Sequence, residues 1–308
     1  MKIYCNRFPR FSPWGGGAQF VNAFHKHAKE LGHELVAPDS MTVAPDVILL
    51  AGLDNDGEGI SAEQAIMYRM TVADTKDVKL VLRINENDAR KNTTGMDDYL
   101  RKLAPHMDGA IFVSQWISDY FKANPGWKCK KNSVIINGVD GDVFKPQPKL
   151  SNGKTNIVTA HWSNNVNKGF DIYEKLDEFV GSDEGKNYTF TYIGRDRKTF
   201  KNTTVISPLY GKKLGEEMGK YDVYISASRW DPGPNHCVES ISCNLPTYVH
   251  EQGGGCVEFA GSDHVYRDWE ELKQILVKGQ FSVNTTQFSN WSNCIQQYVE
   301  LFSRIIET

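Results

Sequence analysis

The feature that most constrains this chain is a repeated exchange between two hydrophobic periods. Short apolar runs at 2–5, 34–37, 46–51, 79–84, 109–114 and 133–137 alternate with segments of helical period. Several runs are continuously apolar, the pattern of strands buried on both faces of a parallel sheet. Phe20, Phe24, Ala28 and Leu31 fall at helical spacing, and Gly32 stops that helix. Ser61-Ala62-Glu63-Gln64 predicts a capping box that opens another. The scheme then repeats, with strands predicted at 156–161, 188–194, 204–207, 222–226, 247–250 and 264–266. This alternation predicts an α/β chain of two doubly wound domains in tandem.

The segment 144–153 carries Pro146, Pro148 and Gly153 among polar neighbours and is the best boundary. The expected domains are therefore 1–147 and 148–287. Trp291, Ile295, Tyr298, Val299, Phe302, Ile305 and Ile306 share one face of a final helix, about 288–308. So large an apolar face must pack on something, and the helix is expected to cross back to the first domain. Ligands of doubly wound sheets bind outside the carboxyl ends of the strands. The cleft between two such domains is then the expected site.

Composition removes several function classes. The chain has 15 Phe, 13 Tyr and 7 Trp, too much core material for global disorder. No run approaches the roughly 18–20 apolar residues of a membrane-spanning helix. The net charge is −3, and neither half has a positive excess: residues 1–148 hold 18 basic and 18 acidic groups, residues 149–308 hold 17 and 20. General nucleic-acid binding is not expected from that balance. Lys128, Lys130 and Lys131 beside Trp127 read as a solvated turn, or as a weak peripheral contact with a membrane surface. The six cysteines form no C-x-x-C pair, and their spacing fits neither a zinc site nor a dense disulfide framework. With an N-terminus that reads directly as a strand, a reducing cytoplasm is the expected compartment.

Three motifs carry chemistry. Trp14-Gly15-Gly16-Gly17 lies between the first strand and the first helix, where glycines let backbone approach a ligand and a helix start offers N–H groups. Asn164-Asn165-Val166-Asn167-Lys168-Gly169 follows the first strand of the second half and puts a lysine where a diphosphate would sit. Arg195 follows the next strand and offers a second cation. The most specific motif runs from Ser228 through Asp231-Pro232-Gly233-Pro234-Asn235-His236-Cys237-Val238-Glu239. A Pro/Gly loop there leads into a helix, and Glu239 can accept two hydroxyl hydrogen bonds, as a ribose-binding carboxylate does.

Together these elements resemble retaining glycosyltransferases of family 4 (glycosyl transferases group 1), which have the GT-B fold. Asp231 to Glu239 resembles the family's E-x7-E motif with Asp in the first place. Asn137-Gly138-Val139-Asp140 with Phe144 and Pro146 resembles its NGVD-x-x-x-F-x-P signature. Asn167-Lys168-Gly169 resembles its K-G element, and Gly253-Gly254-Gly255 with Glu258 its GG-x-x-E loop. The likeness spans nearly the whole chain. It implies two Rossmann-like domains facing across a cleft, acceptor on the first and nucleotide-sugar donor on the second. It also implies sugar transfer to an acceptor hydroxyl with retention and without a metal or other cofactor. Asp231, Lys168 and Glu239 would be catalytic. Gly15, Gly16, Gly17, Ser163, Asn164, Arg195, Gly233, Pro234, Asn235 and His236 would complete the donor site. Ser163 stands where the family carries an arginine, and Arg195 is the candidate replacement. The family's histidine after the fourth strand is missing, which leaves Arg83, Asn85 and Asp88 as acceptor-side candidates. The alternatives are an inactive sugar-nucleotide-binding regulatory module and a nucleotide-sugar epimerase of the same fold.

Overall fold

Val47, Ile48, Leu49 and Leu50 are all fully buried, so the strand they form is covered on both faces. In the computed structural model, which describes residues 1–10, 15–37, 44–53, 59–71, 77–123, 126–195 and 200–307, this strand is β3 (Val47–Leu50) of a six-stranded parallel sheet. Its companions are β1 (Lys2–Cys5), β2 (Glu34–Leu35), β4 (Lys79–Ile84), β5 (Gly109–Phe112) and β6 (Asn132–Val134), in the order β2-β1-β3-β4-β5-β6. The register sets Ile3 beside Val47 and Val47 beside Lys79. The helices of this half are α1 (Gly16–Glu30), α2 (Ala62–Thr71), α3 (Asp88–Lys91), α4 (Met96–Leu103) and α5 (Gln115–Lys122). The predicted capping box forms in both directions: Gln64 N donates to Ser61 Oγ at 3.2 Å, and Ser61 N to Gln64 Oε1 at 2.7 Å. Gly32, at φ +84°, turns the chain out of α1.

The second sheet contains β7 (Thr155–His161), β8 (Tyr188–Gly194), β9 (Thr204–Ile206), β10 (Val223–Ser226), β11 (Thr247–His250) and β12 (Val265–Tyr266). Read across, it runs β9-β8-β7-β10-β11-β12, and every pairing is parallel. This is the 3-2-1-4-5-6 order of dinucleotide-binding sheets, with its reversal between β7 and β10. Its helices are α6 (Phe170–Val180), α7 (Gly211–Met218), α8 (Asn235–Ser242), α9 (Gly255–Ala260) and α10 (Trp269–Lys278). The predicted strands are present, with trimmed ends. The shortest are at sheet edges: 34–37 contracts to β2, and 133–137 shifts to β6. An edge strand has one neighbour to hold its backbone, so its ends are released first.

The chain forms two compact units. One comprises Met1–Asp88, Thr93–Gly138 and Ser289–Thr308; the other comprises Ala89–Asn92 and Val139–Phe288. The proline-bearing segment 144–153 lies in the second, where Gln147 N donates to Gly219 O. The last helix, α11 (Trp291–Ile306), returns to the first unit. Its Ile295, Tyr298, Phe302 and Ile305 are buried in one cluster with Phe20 and Phe24 of α1. The Phe20 and Tyr298 rings are 5.1 Å apart, and those of Phe24 and Phe302 6.3 Å.

At Gly138 the start of that helix lies close against the backbone. A Cβ there would lie 2.6 Å from Trp291 Cα, so any side chain would push the start of α11 away. The glycine of the NGVD signature is thus accounted for by packing. Gly138→Ala is expected to cost about 1–3 kcal/mol by overpacking. Urea denaturation should show a lower midpoint with an unchanged slope, and an unshifted midpoint would mean that the helix start accommodates a methyl group.

Candidate active site in the second unit

β7 ends at His161, and the chain then closes a 3-10 turn, Val166–Lys168. Asn165 caps the turn, its Oδ1 accepting from Asn167 N at 2.9 Å. Gly169 follows at φ +80°, and a Cβ there would come within 2.2 Å of the Ala227 carbonyl oxygen. Only glycine satisfies both demands, which explains the Lys-Gly pair. The turn carries Lys168 inward, to 8% exposure. Its Nζ donates to Asp231 Oδ2 at 2.8 Å and to Ser228 Oγ at 3.4 Å.

Asp231 is 3% exposed. Burial by itself would raise its pKa. The charges of Lys168, Arg90 and His236 and the hydrogen bond from Lys168 outweigh it, holding the carboxyl well below the usual carboxylate range. The loop bearing Asp231 is sewn to the glycine loop after β11. Trp230 N donates to Gln252 O at 2.8 Å, Asp231 N to Gly253 O at 3.2 Å, and Gly255 N to Asp231 O at 2.8 Å. These bonds set the starts of α8 and α9 beside the ion pair. Glu239, on α8, is 5% exposed.

A polar network lines the same strand ends. His161 Nε2 lies 2.6 Å from Tyr173 Oη and 3.2 Å from Thr159 Oγ1, while His161 Nδ1 has no partner among the described residues. Burial, then the charges of Lys168 and His236, pushes the His161 pKa well below its ordinary value, so the ring is neutral at pH 7. Tyr173 Oη accepts from Ala227 N at 2.9 Å. His236 Nε2 is 2.9 Å from Ser226 Oγ, and its ring stacks on Tyr224 with centroids 6.0 Å apart. All six cysteines are free thiols. Burial pushes the Cys237 thiol up; for Cys256, hydrogen bonds from Cys237 and His236 overcome burial and bring it to about 6.

Lys168, Asp231 and His236 therefore meet at the reversal between β7 and β10, and Gly233, Pro234 and Asn235 lead from that loop into α8. Ser163 Oγ accepts from Asn165 N at 3.2 Å and helps build the lysine turn, and Asn164 is exposed. Arg195 is an exposed cation lying flat on Trp162, its Cζ 4.1 Å from the ring centre. Gly15, Gly16 and Gly17 form the N-cap and first residues of α1 in the first unit. A Cβ on Gly17 would meet nothing within 4 Å.

Two of the acceptor-side candidates bond within the protein. Arg83 is 3% exposed; its Nη2 donates to Asn137 Oδ1 at 2.8 Å, its Nε to Tyr298 Oη at 3.2 Å, and its guanidinium covers Phe20 at 4.0 Å. It ties β4 to α11 and the NGVD asparagine. Asp88 is spent on the start of α4: its carboxylate accepts from Met96 N at 3.1 Å, Asp97 N at 3.0 Å and Thr93 Oγ1 at 3.0 Å. Asn85 is half-buried in the same loop. Trp127 packs on Phe112 and Phe121 at 5.2 and 5.4 Å, while Lys131 Nζ donates to Arg304 O at 3.0 Å. Among the described residues no helix is long and apolar enough to cross a membrane.

Sequence reasoning overlooked Arg90. The segment Ala89–Asn92 groups with the second unit, where Asn167 Nδ2 donates to the Ala89 and Arg90 carbonyls at 2.7 and 3.1 Å. Arg90's charge then acts on Asp231. The available signal was a cation in the polar loop after β4, two residues beyond Asp88. Two D-x-D triplets also occur. Residues 54–56 lie outside the described ones, and Asp140 Oδ1 accepts from Asp142 N in an exposed turn. The expectation of metal independence therefore rests on the resemblance alone.

No family model and no curated protein sequence matches this chain. Solved structures do. Sucrose-phosphate synthase from Thermosynechococcus elongatus superposes with a TM-score of 0.72 at 11% identity, covering 99% of each chain. Anabaena HepE in complex with UDP-glucose gives 0.69 at 15% identity, covering 99% of this chain and 100% of that one. A glycosyltransferase from Rickettsia africae gives 0.64 at 13% identity, covering 100% and 99%. The fold is the GT-B fold of glycosyltransferases.

Asp231→Asn leaves the Lys168 ammonium buried without its counter-charge, at an expected cost of about 3–5 kcal/mol near neutral pH. The wild-type carboxyl titrates below its unfolded value of about 3.9. Its stabilisation is complete above that pH and is lost as pH falls toward the folded value. Urea unfolding should therefore show a wild-type-to-variant gap that is widest near neutrality and narrows below about pH 4. A gap independent of pH would rule out the pair as its source.

Proposed function

We propose that the second unit binds a nucleotide-diphosphate sugar and that the protein transfers the sugar to an acceptor hydroxyl, with retention and without a divalent metal. The observation that carries this reading is the Lys168–Asp231 pair, buried at the strand-order reversal of a GT-B fold beside two helix starts. The UDP-glucose of the HepE complex makes a UDP-sugar the first donor to test.

In this reading Lys168 and Arg90 face the diphosphate, and Arg90 replaces the charge that Ser163 lacks. Glu239 grips the ribose, and Asp231 accepts from sugar hydroxyls while holding Lys168 in place. The backbone N–H groups of Gly233, Asn235 and His236 add donors. Cations and amides set in advance stabilise the negative charge that develops as the sugar leaves the phosphate. The acceptor hydroxyl attacks from the leaving-group face. The bond from anomeric carbon to phosphate oxygen breaks, the new carbon–oxygen bond forms on that face, and the hydroxyl proton passes to the phosphate. Ser163 favours a second reading, a nucleotide-binding module without turnover.

A thermal-shift panel of nucleoside diphosphates and their sugars should find one base that stabilises by about 2.7 kcal/mol at ~100 times its dissociation constant. Arg90→Gln should lower kcat/KM at least ~10-fold, equivalent to about 1.4 kcal/mol. Glu239→Gln should weaken nucleotide binding in calorimetry. Proton NMR of the product should show the donor's anomeric configuration. An inverted product would overturn retention, and nucleotide binding without transfer or hydrolysis would leave the binding module.

A further inference from the structure

Beside the ion pair lies a cluster whose side chains the proposed transfer does not use. His236 and Cys237 open α8, and Cys256 opens α9. These residues are 19 positions apart in sequence at their closest, so no metal-ligand spacing announces them. In the fold, His236 Nε2, Cys237 Sγ and Cys256 Sγ all lie within 4.8 Å of one another. Cys256 Sγ is 3.9 Å from His236 Nε2 and 4.0 Å from Ser226 Oγ. Both thiols are fully buried, and His236 is half-buried.

We propose that His236, Cys237 and Cys256 form a three-ligand site for a thiophilic d10 cation of the zinc class, which clamps the start of α8 to the start of α9. Two thiolates and an imidazole are a soft ligand set that suits zinc or copper(I) and disfavours magnesium, calcium and manganese. The site is therefore chemically separate from any diphosphate-bound hard cation. Tetrahedral zinc with these ligands sets the donor atoms about 3.5–3.8 Å apart, so side-chain rotation of roughly 1 Å closes the cluster. On binding, two thiol protons pass to solvent and two metal–sulfur bonds and one metal–nitrogen bond form. His236 Nε2 exchanges its Ser226 partner for the ion. The Ser226 hydroxyl or a water takes the fourth position.

The test uses the full chain with its thiols kept reduced under nitrogen, and Co2+ alone as the probe. One Co2+ per chain is expected, with thiolate-to-cobalt charge-transfer absorption, tetrahedral d–d bands and displacement by Zn2+. Cys237→Ser and Cys256→Ser should each weaken binding by more than ~10-fold, since loss of even a supporting residue costs about that much. Cys129→Ser should leave it intact. Circular dichroism establishes whether the buried serine variants fold; if they do not, His236→Gln, at a partly exposed position, decides by the same loss. Absence of thiolate bands, or bands that survive in the folded cluster variants, would overturn the proposal.

Discussion

Two opposite charges 2.8 Å apart and almost out of water are the interaction around which the second unit is arranged. Removing a lysine and an aspartate from solvent costs several kcal/mol per ion, and their attraction offsets this only when the geometry is held. The surroundings hold it. Asn165 caps the turn that aims Lys168, Gly169 takes a left-handed conformation against Ala227, and three backbone bonds fasten the aspartate loop to the glycine loop after β11. An apolar pair of the same volume would stabilise the fold at least as well. Charges at this place are what the proposed diphosphate site requires.

The strand-order reversals explain why the place is this one. Loops leaving neighbouring strands in opposite directions open a crevice at the carboxyl ends. In the second unit, Tyr173, Thr159, His161, Ser226 and His236 fill its floor with mutually bonded polar groups. The first unit has its own reversal, between β1 and β3. There, buried Asn6 accepts from Ala51 N at 2.8 Å and donates to Gly52 O at 2.6 Å and Ile60 O at 3.0 Å. Each sheet thus parts around polar side chains that hold its loops before any ligand arrives.

The loop after β4 shows how residue type and residue role separate. Arg83 and Asp88 look like ligand-facing charges in sequence, and nothing there singles out Arg90. Arg83 is absorbed by Asn137, Tyr298 and Phe20, and Asp88 by three donors at the start of α4. Only Arg90 directs its charge to the lysine–aspartate pair.

The sequence alone determined the architecture and nominated the residues of the candidate site, because both are written in short-range patterns. Buried strands must be continuously apolar, helix starts need caps, and Lys168-Gly169 or Asp231 through Glu239 are contiguous in the chain. What it could not determine was which charges neutralise one another. The Lys168–Asp231 contact, the arrival of Arg90, the internal duty of Arg83 and the meeting of His236 and Cys237 with Cys256 all join residues from different loops. Their distances depend on where parallel strands end relative to one another. That is decided by packing of the whole sheet, and no local pattern of side chains encodes it.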